Sequence, residues 1–69
     1  MERLPVSSSN IAEIGYDQGA ETLEVLFKNG GLYHYFNVPP VEYEQLINAT
    51  SVGSYFNHNI KGRYAESRA

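Results

Sequence analysis

Hydrophobic and polar residues alternate along the middle of the chain, which is the pattern of a β-strand with one buried face. From Thr22 to Lys28 one side of this pattern is apolar throughout and carries Leu23, Val25 and Phe27. The other side mixes charged and apolar residues. We therefore predict a strand at positions 22–28 whose apolar side meets a core.

Two further segments have the composition of strands. Residues from Ile11 to Asp17 are β-prone and run into the turn-forming sequence Gln18-Gly19-Ala20. Residues from Leu32 to Val38 are rich in aromatic and β-branched side chains. Since Asn29-Gly30-Gly31 between the last two segments tolerates positive φ, these segments are expected to form a β-hairpin.

The register of this hairpin decides which side chains share a face, and two registers are possible. A two-residue turn at Asn29 and Gly30 would place Phe27 opposite Leu32. Including Gly31 in a three-residue loop places Phe27 opposite Tyr33, and we favour this register because it assembles an apolar face. That face gathers five side chains: Leu23, Val25, Phe27, Tyr33 and Tyr35.

Two short helices are predicted after the hairpin. Pro39-Pro40 stops the strand, and a proline is well placed in a first helical turn. Thr50-Ser51 can cap a second helix, and Gly62 is expected to end it. The apolar positions that predict the helices are Tyr43, Leu46 and Ile47 in the first and Val52, Phe56 and Ile60 in the second.

The order of the predicted elements is three strands followed by two helices. This order indicates an α+β fold, a three-stranded antiparallel sheet with both helices packed on one face. We expect an extended N-terminal lead-in at residues 1–10, a single domain at 11–64 and a frayed C-terminal tail at 65–69.

Composition limits the number of domains, the cellular compartment and the membrane association that we expect. The chain has 69 residues, of which 42% are hydrophobic and 19% charged, so it should fold as one domain. Absence of cysteine excludes disulfides and thiolate metal sites, and it fits a cytoplasmic location. No apolar run is long enough to span a bilayer, so no membrane association is expected.

The chain also resembles a known family, through an ordered set of short motifs. These are Ser9-Asn10-Ile11, Gly15-Tyr16-Asp17, Phe27 before a glycine turn, Tyr33-His34-Tyr35, Val38-Pro39, and Ser51-x-Gly53-x-Tyr55-Phe56 followed by Ile60 and Tyr64. Together they resemble the KTSC domain, which occurs at the C-terminus of some lysyl-tRNA synthetases and as a separate protein in bacteria and phages. The resemblance implies a module of unsettled function with a suggested link to RNA, and it supplies no catalytic residues.

The titratable residues do not form a recognisable catalytic motif. Asp17 is the only aspartate, and His34 and His58 lie on different predicted elements without a nucleophile motif beside them. Two histidines without cysteine also fall short of a zinc site. We therefore expect a binding module that uses neither a metal nor a cofactor, and not an enzyme.

Nucleic-acid binding is the first candidate function. A basic cluster near the C-terminus contains Lys61, Arg63 and Arg68. Of these, Lys61 and Arg63 could contact phosphates together with Lys28. His34 and Phe36 could stack on bases. Cations at a helix end also complement the helix dipole without any ligand, and the net charge of −3 opposes binding of polyanions.

Protein association is the second candidate function. In the favoured register Leu26, Leu32 and Phe36 project from the sheet face away from the helices, which could pair two copies of the chain as a homodimer. Alternatively, the N-terminal segment with Leu4 and Val6 could fold across this face and cover it.

Overall fold

One antiparallel sheet of five strands forms the frame of the protein, in a computed structural model that describes residues 1–69. The strands lie in sequence order across the sheet, each beside the next one along the chain. The elements along the chain are β1 (Arg3–Pro5), β2 (Ile11–Asp17), β3 (Thr22–Phe27), β4 (Leu32–Tyr35), α1 (Pro40–Ile47), α2 (Val52–Asn59) and β5 (Glu66–Arg68). The α+β class and the two helices are confirmed, whereas the prediction of three strands was wrong.

The two unpredicted strands lie at the edges of the sheet, in the segments expected to be a lead-in and a frayed tail. β1 pairs with β2, with Leu4 opposite Ile14, and β5 pairs with β4, with Ser67 opposite His34. Each has only three residues, which is too few to show an alternating pattern in the sequence. They become strands because the edges of the central sheet offer them unpaired backbone groups.

The hairpin loop has the predicted length but begins one residue earlier. The Phe27 amide donates to the Gly31 carbonyl at 2.8 Å, so the loop consists of Lys28, Asn29 and Gly30. β4 also ends at Tyr35, three residues before its predicted end.

The shift of the loop changes which residues of β3 and β4 lie opposite each other, but every side chain stays on its predicted side of the sheet. Tyr33 lies opposite Val25, and the predicted direct pairing of Phe27 with Tyr33 was wrong. Their rings are instead diagonal neighbours on the helix side, with centroids 5.8 Å apart. The assignment of the apolar face was correct, because moving one strand by a full two-residue repeat leaves each side chain on its own side.

A β-bulge in β2 brings two isoleucines to the core. The pairing with β3 changes register between Ile11 and Glu13. Ile11 and Ile14 are three positions apart and would point to opposite faces of a regular strand. The extra residue, Ala12, corrects this difference, and both isoleucines are fully buried.

The core lies between the sheet and the two helices. Its ten buried residues are Ile11, Ile14, Leu23, Val25, Tyr35, Val38, Leu46, Val52, Phe56 and Ile60. Phe56 of α2 is central, with its ring centroid 5.6 Å from that of Phe27 and 5.3 Å from that of Tyr35. Neither helix is long and apolar enough to cross a membrane.

The start of α2 is fixed as predicted and also orders the segment before β2. The Ser51 hydroxyl accepts a hydrogen bond from the Ser54 amide at 3.3 Å, which caps the helix. A Cβ on Gly53 would lie 3.0 Å from the Ser8 hydroxyl and 3.2 Å from Asn10 Oδ1. The absence of a side chain at Gly53 therefore allows this loop to pack directly on the helix.

Candidate nucleic-acid interface

A groove of about 680 Å³ opens on the helix side of the sheet, at the corner that α2 leaves uncovered. Its residues come from the loop before β2, the end of β3, the hairpin loop and the residue after it, β4, β5 and the segment after α2. They are Ser9, Asn10, Phe27, Lys28, Asn29, Gly31, Tyr33, Tyr35, Lys61, Glu66 and Arg68. We call this feature the basic groove.

The charge of the basic groove is opposite in sign to that of the whole protein. Lys28, Lys61 and Arg68 line it, which are three of the five lysine and arginine residues, and Glu66 is its only carboxylate. The whole chain carries a net charge of −3. A local positive potential of this kind attracts an anion that the rest of the surface repels.

Backbone hydrogen bonds hold the three cations around the groove. The Lys28 amide donates to the Asn10 carbonyl at 2.9 Å, which joins the hairpin loop to the segment before β2. The Lys61 amide donates to the Phe56 carbonyl at 2.9 Å and so keeps Lys61, two positions after α2, close to the helix end. Arg68 is placed by the pairing of β5 with β4, where it lies opposite Tyr33.

Aromatic rings form the floor of the basic groove. The half-buried Tyr33 ring meets Phe27 edge to face, with an angle of 79° between the planes. The Arg68 guanidinium lies over the Tyr33 ring, 5.7 Å from its centroid. An arginine on a tyrosine gives a flat, cationic surface on which another planar group can stack.

Tyr35 and Glu66 form the end of the groove nearest the core. Burial raises the pKa of Tyr35 to about 12, and the neighbouring Glu66 carboxylate adds to this effect. The Tyr35 hydroxyl thus remains protonated throughout the neutral range. Glu66 forms no ion pair with the cations of the groove. The carboxylates that form ion pairs in the protein are Glu13 and Glu24.

The structure brings together only part of the predicted nucleic-acid site. Lys28 and Lys61 both line the basic groove, as a shared phosphate-binding role requires. Arg63 does not line it. His34 projects from the opposite face of the sheet, and Phe36 follows β4 beside it with ring centroids 6.3 Å apart.

Sequence reasoning did not assign Tyr33, Glu66 or Arg68 to the site. Tyr33 was interpreted as a core residue because it faces the helices, but it lies at a corner that neither helix covers. Arg68 was counted in the basic cluster but was given no contact, because it fell with Glu66 in the predicted frayed tail. A weak signal was present in Glu66-Ser67-Arg68, whose two charged residues would share one side of a strand.

The sheet face opposite the helices, here called the open face, carries an ionic network at its centre. Glu24 is buried, with 7% of its surface exposed, and accepts from Arg3 Nη1 at 2.7 Å. Its other oxygen lies 2.7 Å from His34 Nε2, and Arg3 Nε donates to Glu13 at 2.9 Å. Burial alone would raise the pKa of Glu24, but the hydrogen bonds from His34 and Arg3 outweigh it and hold this pKa below its usual value.

This network separates the apolar residues that were predicted to form an interface. Leu26 and Leu32 face each other across β3 and β4, two positions further along the strands than Glu24 and His34. Phe36, 36% exposed, lies beyond the opposite end of β4. The N-terminal segment does not lay Leu4 and Val6 across the open face, because it pairs at the sheet edge and Val6 packs against the core. Its Arg3 side chain does reach over this face, to Glu24.

Comparison with known proteins gives consistent matches over nearly the whole chain. The profile of the KTSC domain matches residues 7–64. A crystal structure of a KTSC domain protein from Yersinia pestis matches with a TM-score of 0.96 and 38% identity, over 99% of this chain and 96% of that one.

Two relatives with different lengths are also similar in sequence. An uncharacterized protein of Stutzerimonas stutzeri is 39% identical over 93% of this chain and 90% of its own length. A lysine–tRNA ligase of Nostoc punctiforme is 43% identical over 88% of this chain, and the matching region spans only 11% of that ligase.

Proposed function

The chain belongs to the KTSC domain family, and we propose that it is a non-catalytic module that binds single-stranded RNA in the basic groove. The observation that carries this proposal is the convergence of Lys28, Lys61 and Arg68 around the exposed side of Tyr33. Cations beside an aromatic surface are what a single strand requires, since the cations bind its phosphates and the ring stacks on its bases.

The shape of the groove favours a single strand over a duplex. Its aromatic floor is recessed between the hairpin loop, β5 and the end of α2. A base must leave a double helix before it can reach such a floor, whereas the bases of a single strand are already accessible. Neither a metal nor a cofactor has a part in this proposal.

The relatives support an RNA context without defining the ligand. Lysine–tRNA ligases of Nostoc punctiforme and Trichormus variabilis contain a region 43% and 41% identical to this chain. A module joined to such a ligase would encounter RNA, and we extend that context to this chain as part of the proposal. A cytoplasmic location belongs to the same proposal, because a chain without cysteine gains nothing from an oxidising compartment.

Self-association through the open face is the competing function. The exposed Phe36 ring and the Leu26 and Leu32 pair favour it, since they add apolar surface to that face. The ionic network of Glu24 weighs against it, because a dimer built across the face would have to bury this network further. We therefore favour the basic groove as the functional site.

Binding of a fluorescently labelled, mixed-sequence single-stranded RNA tests the proposal. We expect fluorescence anisotropy to show binding that weakens between about 50 and 200 mM salt, with a log–log slope of about −0.7 for each phosphate contact. Absence of binding at the lower salt concentration, or binding independent of salt, would contradict the proposal.

Two neighbouring cations provide a matched pair of variants. Lys61→Ala and Arg63→Ala each remove one exposed positive charge, but only Lys61 lines the groove. Lys61→Ala should weaken RNA binding several-fold and reduce the salt slope, while Arg63→Ala should change both much less. Equal losses would indicate that net charge, and not the groove, determines binding. Circular dichroism of both variants checks that they remain folded.

A further inference from the structure

We infer that the basic groove selects a guanine base, which stacks on the Tyr33 and Arg68 pair and turns its hydrogen-bond donors toward Glu66. This inference rests on the proposed function of the groove and names the base that it recognises. The same chemistry would apply to guanine in a single-stranded RNA and to a free guanine nucleotide.

The position of Glu66 is the first reason to expect recognition of a base in the groove. A carboxylate in a groove meant for phosphates repels them, so its presence there calls for a second role. None of the three cations of the groove forms an ion pair with Glu66, so no positive charge of the groove neutralises it. An ionised carboxylate only accepts hydrogen bonds, so a ligand group that meets Glu66 must donate.

The choice of base follows from the pattern of donors. Guanine presents two adjacent donors, N1–H and the N2 amino group, which match the two oxygens of one carboxylate. Uracil presents one donor between two carbonyl acceptors, and the amino groups of adenine and cytosine stand beside an acceptor nitrogen. Only guanine therefore meets a carboxylate with paired donors and no acceptor between them.

The spacing of Glu66 and Arg68 suits a stacked purine. The two residues are separated by one position on β5, so their side chains lie on the same face with Cα atoms about 7 Å apart. This separation is comparable to the width of a purine. A base stacked against Arg68 and Tyr33 can therefore reach Glu66 with its edge, while Lys28 and Lys61 remain available for phosphates.

Tyr35 is the neighbour of the Glu66 carboxylate on the core side. It lies opposite Glu66 in the pairing of β4 with β5, and its side chain is buried in the core. Burial and the neighbouring Glu66 carboxylate raise the pKa of Tyr35 to about 12, so its hydroxyl stays protonated beside Glu66. Glu66 thus has a fixed neighbour on the core side and faces the groove on the other.

Pentauridylate probes with one central substitution test the inference. We compare guanine, inosine, adenine and uracil at the central position, because inosine keeps N1–H but lacks the N2 amino group. The parent protein should bind the guanine probe at least about five-fold more tightly than the uracil probe, which is the lower end of a bidentate contact, with inosine between them. Equal affinities for all four probes would overturn the inference and leave the RNA proposal intact.

Glu66→Gln separates base recognition from electrostatics. This variant should lose the preference for guanine while its affinity for the uracil probe stays equal or rises, because a negative charge has been removed. Glu44→Gln, an exposed carboxylate on α1, is the matched control and should keep the preference. If Glu66→Gln raises the affinities for all probes by the same factor, Glu66 does not read the base and the inference is wrong.

Binding of free guanosine monophosphate shows whether the groove recognises guanine in a free nucleotide as well as in RNA. It also tests guanine recognition separately from the RNA proposal. Saturable binding of this nucleotide, reduced in Glu66→Gln, would support guanine recognition even if no RNA probe binds. If neither the nucleotide nor any RNA probe binds, both the inference and the proposed function are wrong.

Discussion

The Arg3 guanidinium crosses the backbone of β2 at Gly15 and donates a 2.7 Å hydrogen bond to the Glu24 carboxylate of β3. The same carboxylate contacts His34 on β4, so one side chain connects the first strand of the sheet to the fourth. Glu24 therefore stabilises an edge strand that has only three residues of its own.

The first prediction concerns the pH dependence of this contact. The pKa of Glu24 is lower in the folded protein than its ordinary value of 4.5, so ionised Glu24 contributes stability above that pH. This contribution is lost as the pH falls through the folded pKa. Glu24→Gln should lower the free energy of unfolding by about 1–3 kcal/mol at pH 7 and by less near pH 3.

Chemical denaturation at both pH values measures this difference. Glu44→Gln provides the control, because Glu44 is exposed on α1 and takes part in no ion pair. A Glu24→Gln deficit that is the same at both pH values would show that the lost charge is not its cause.

The second prediction concerns the close approach of β1 to β2. A Cβ on Gly15 would lie 2.8 Å from the Glu2 carbonyl oxygen and 3.0 Å from Arg3 Cγ, so the β1 backbone would have to move. Gly15→Ala should cost about 1–3 kcal/mol, with faster hydrogen exchange in β1. Gly19→Ala is the matched variant, since its Cβ would meet Asp17 only at 3.5 Å. If both variants unfold at the same temperature, the approach at Gly15 is not limiting.

The third prediction concerns alkaline pH. Burial raises the pKa of Tyr35 from 10.0 to about 12, so the protonated hydroxyl is favoured in the folded state. Its contribution to stability is complete below pH 10 and is lost as the pH rises toward 12. Absorbance titration of the tyrosines should show a last step near pH 12 that is missing in Tyr35→Phe. A Tyr35→Phe titration identical to that of the parent would refute this assignment.

The fourth prediction concerns the open face. Because the Glu24 network divides its apolar residues, we expect the protein to sediment as a monomer at tens of micromolar. Phe36→Glu should then remain folded, since Phe36 is already 36% exposed. A parent dimer that Phe36→Glu dissociates would instead support self-association through this face. A Phe36→Glu variant that unfolds would identify Phe36 as part of the core.

The sequence alone determined the central part of the fold. Alternation in residues 22–28 located β3 and its buried face, and Ser51 with the four-residue spacing of Val52, Phe56 and Ile60 located α2. These features were predictable because each depends on local periodicity and capping, which are determined by residues close together in the chain.

Only the tertiary structure decided the edges of the sheet and the composition of the basic groove. β1 and β5 form because a neighbouring strand supplies hydrogen-bond partners. A segment of three residues is too short to show this as an alternating pattern in the sequence. Arg68 reaches Tyr33 only after β5 has paired with β4, and Lys28 approaches Lys61 only after α2 has packed on the sheet. The location of the candidate site was therefore fixed by contacts between residues far apart in the chain, since three-dimensional proximity of this kind leaves no local pattern.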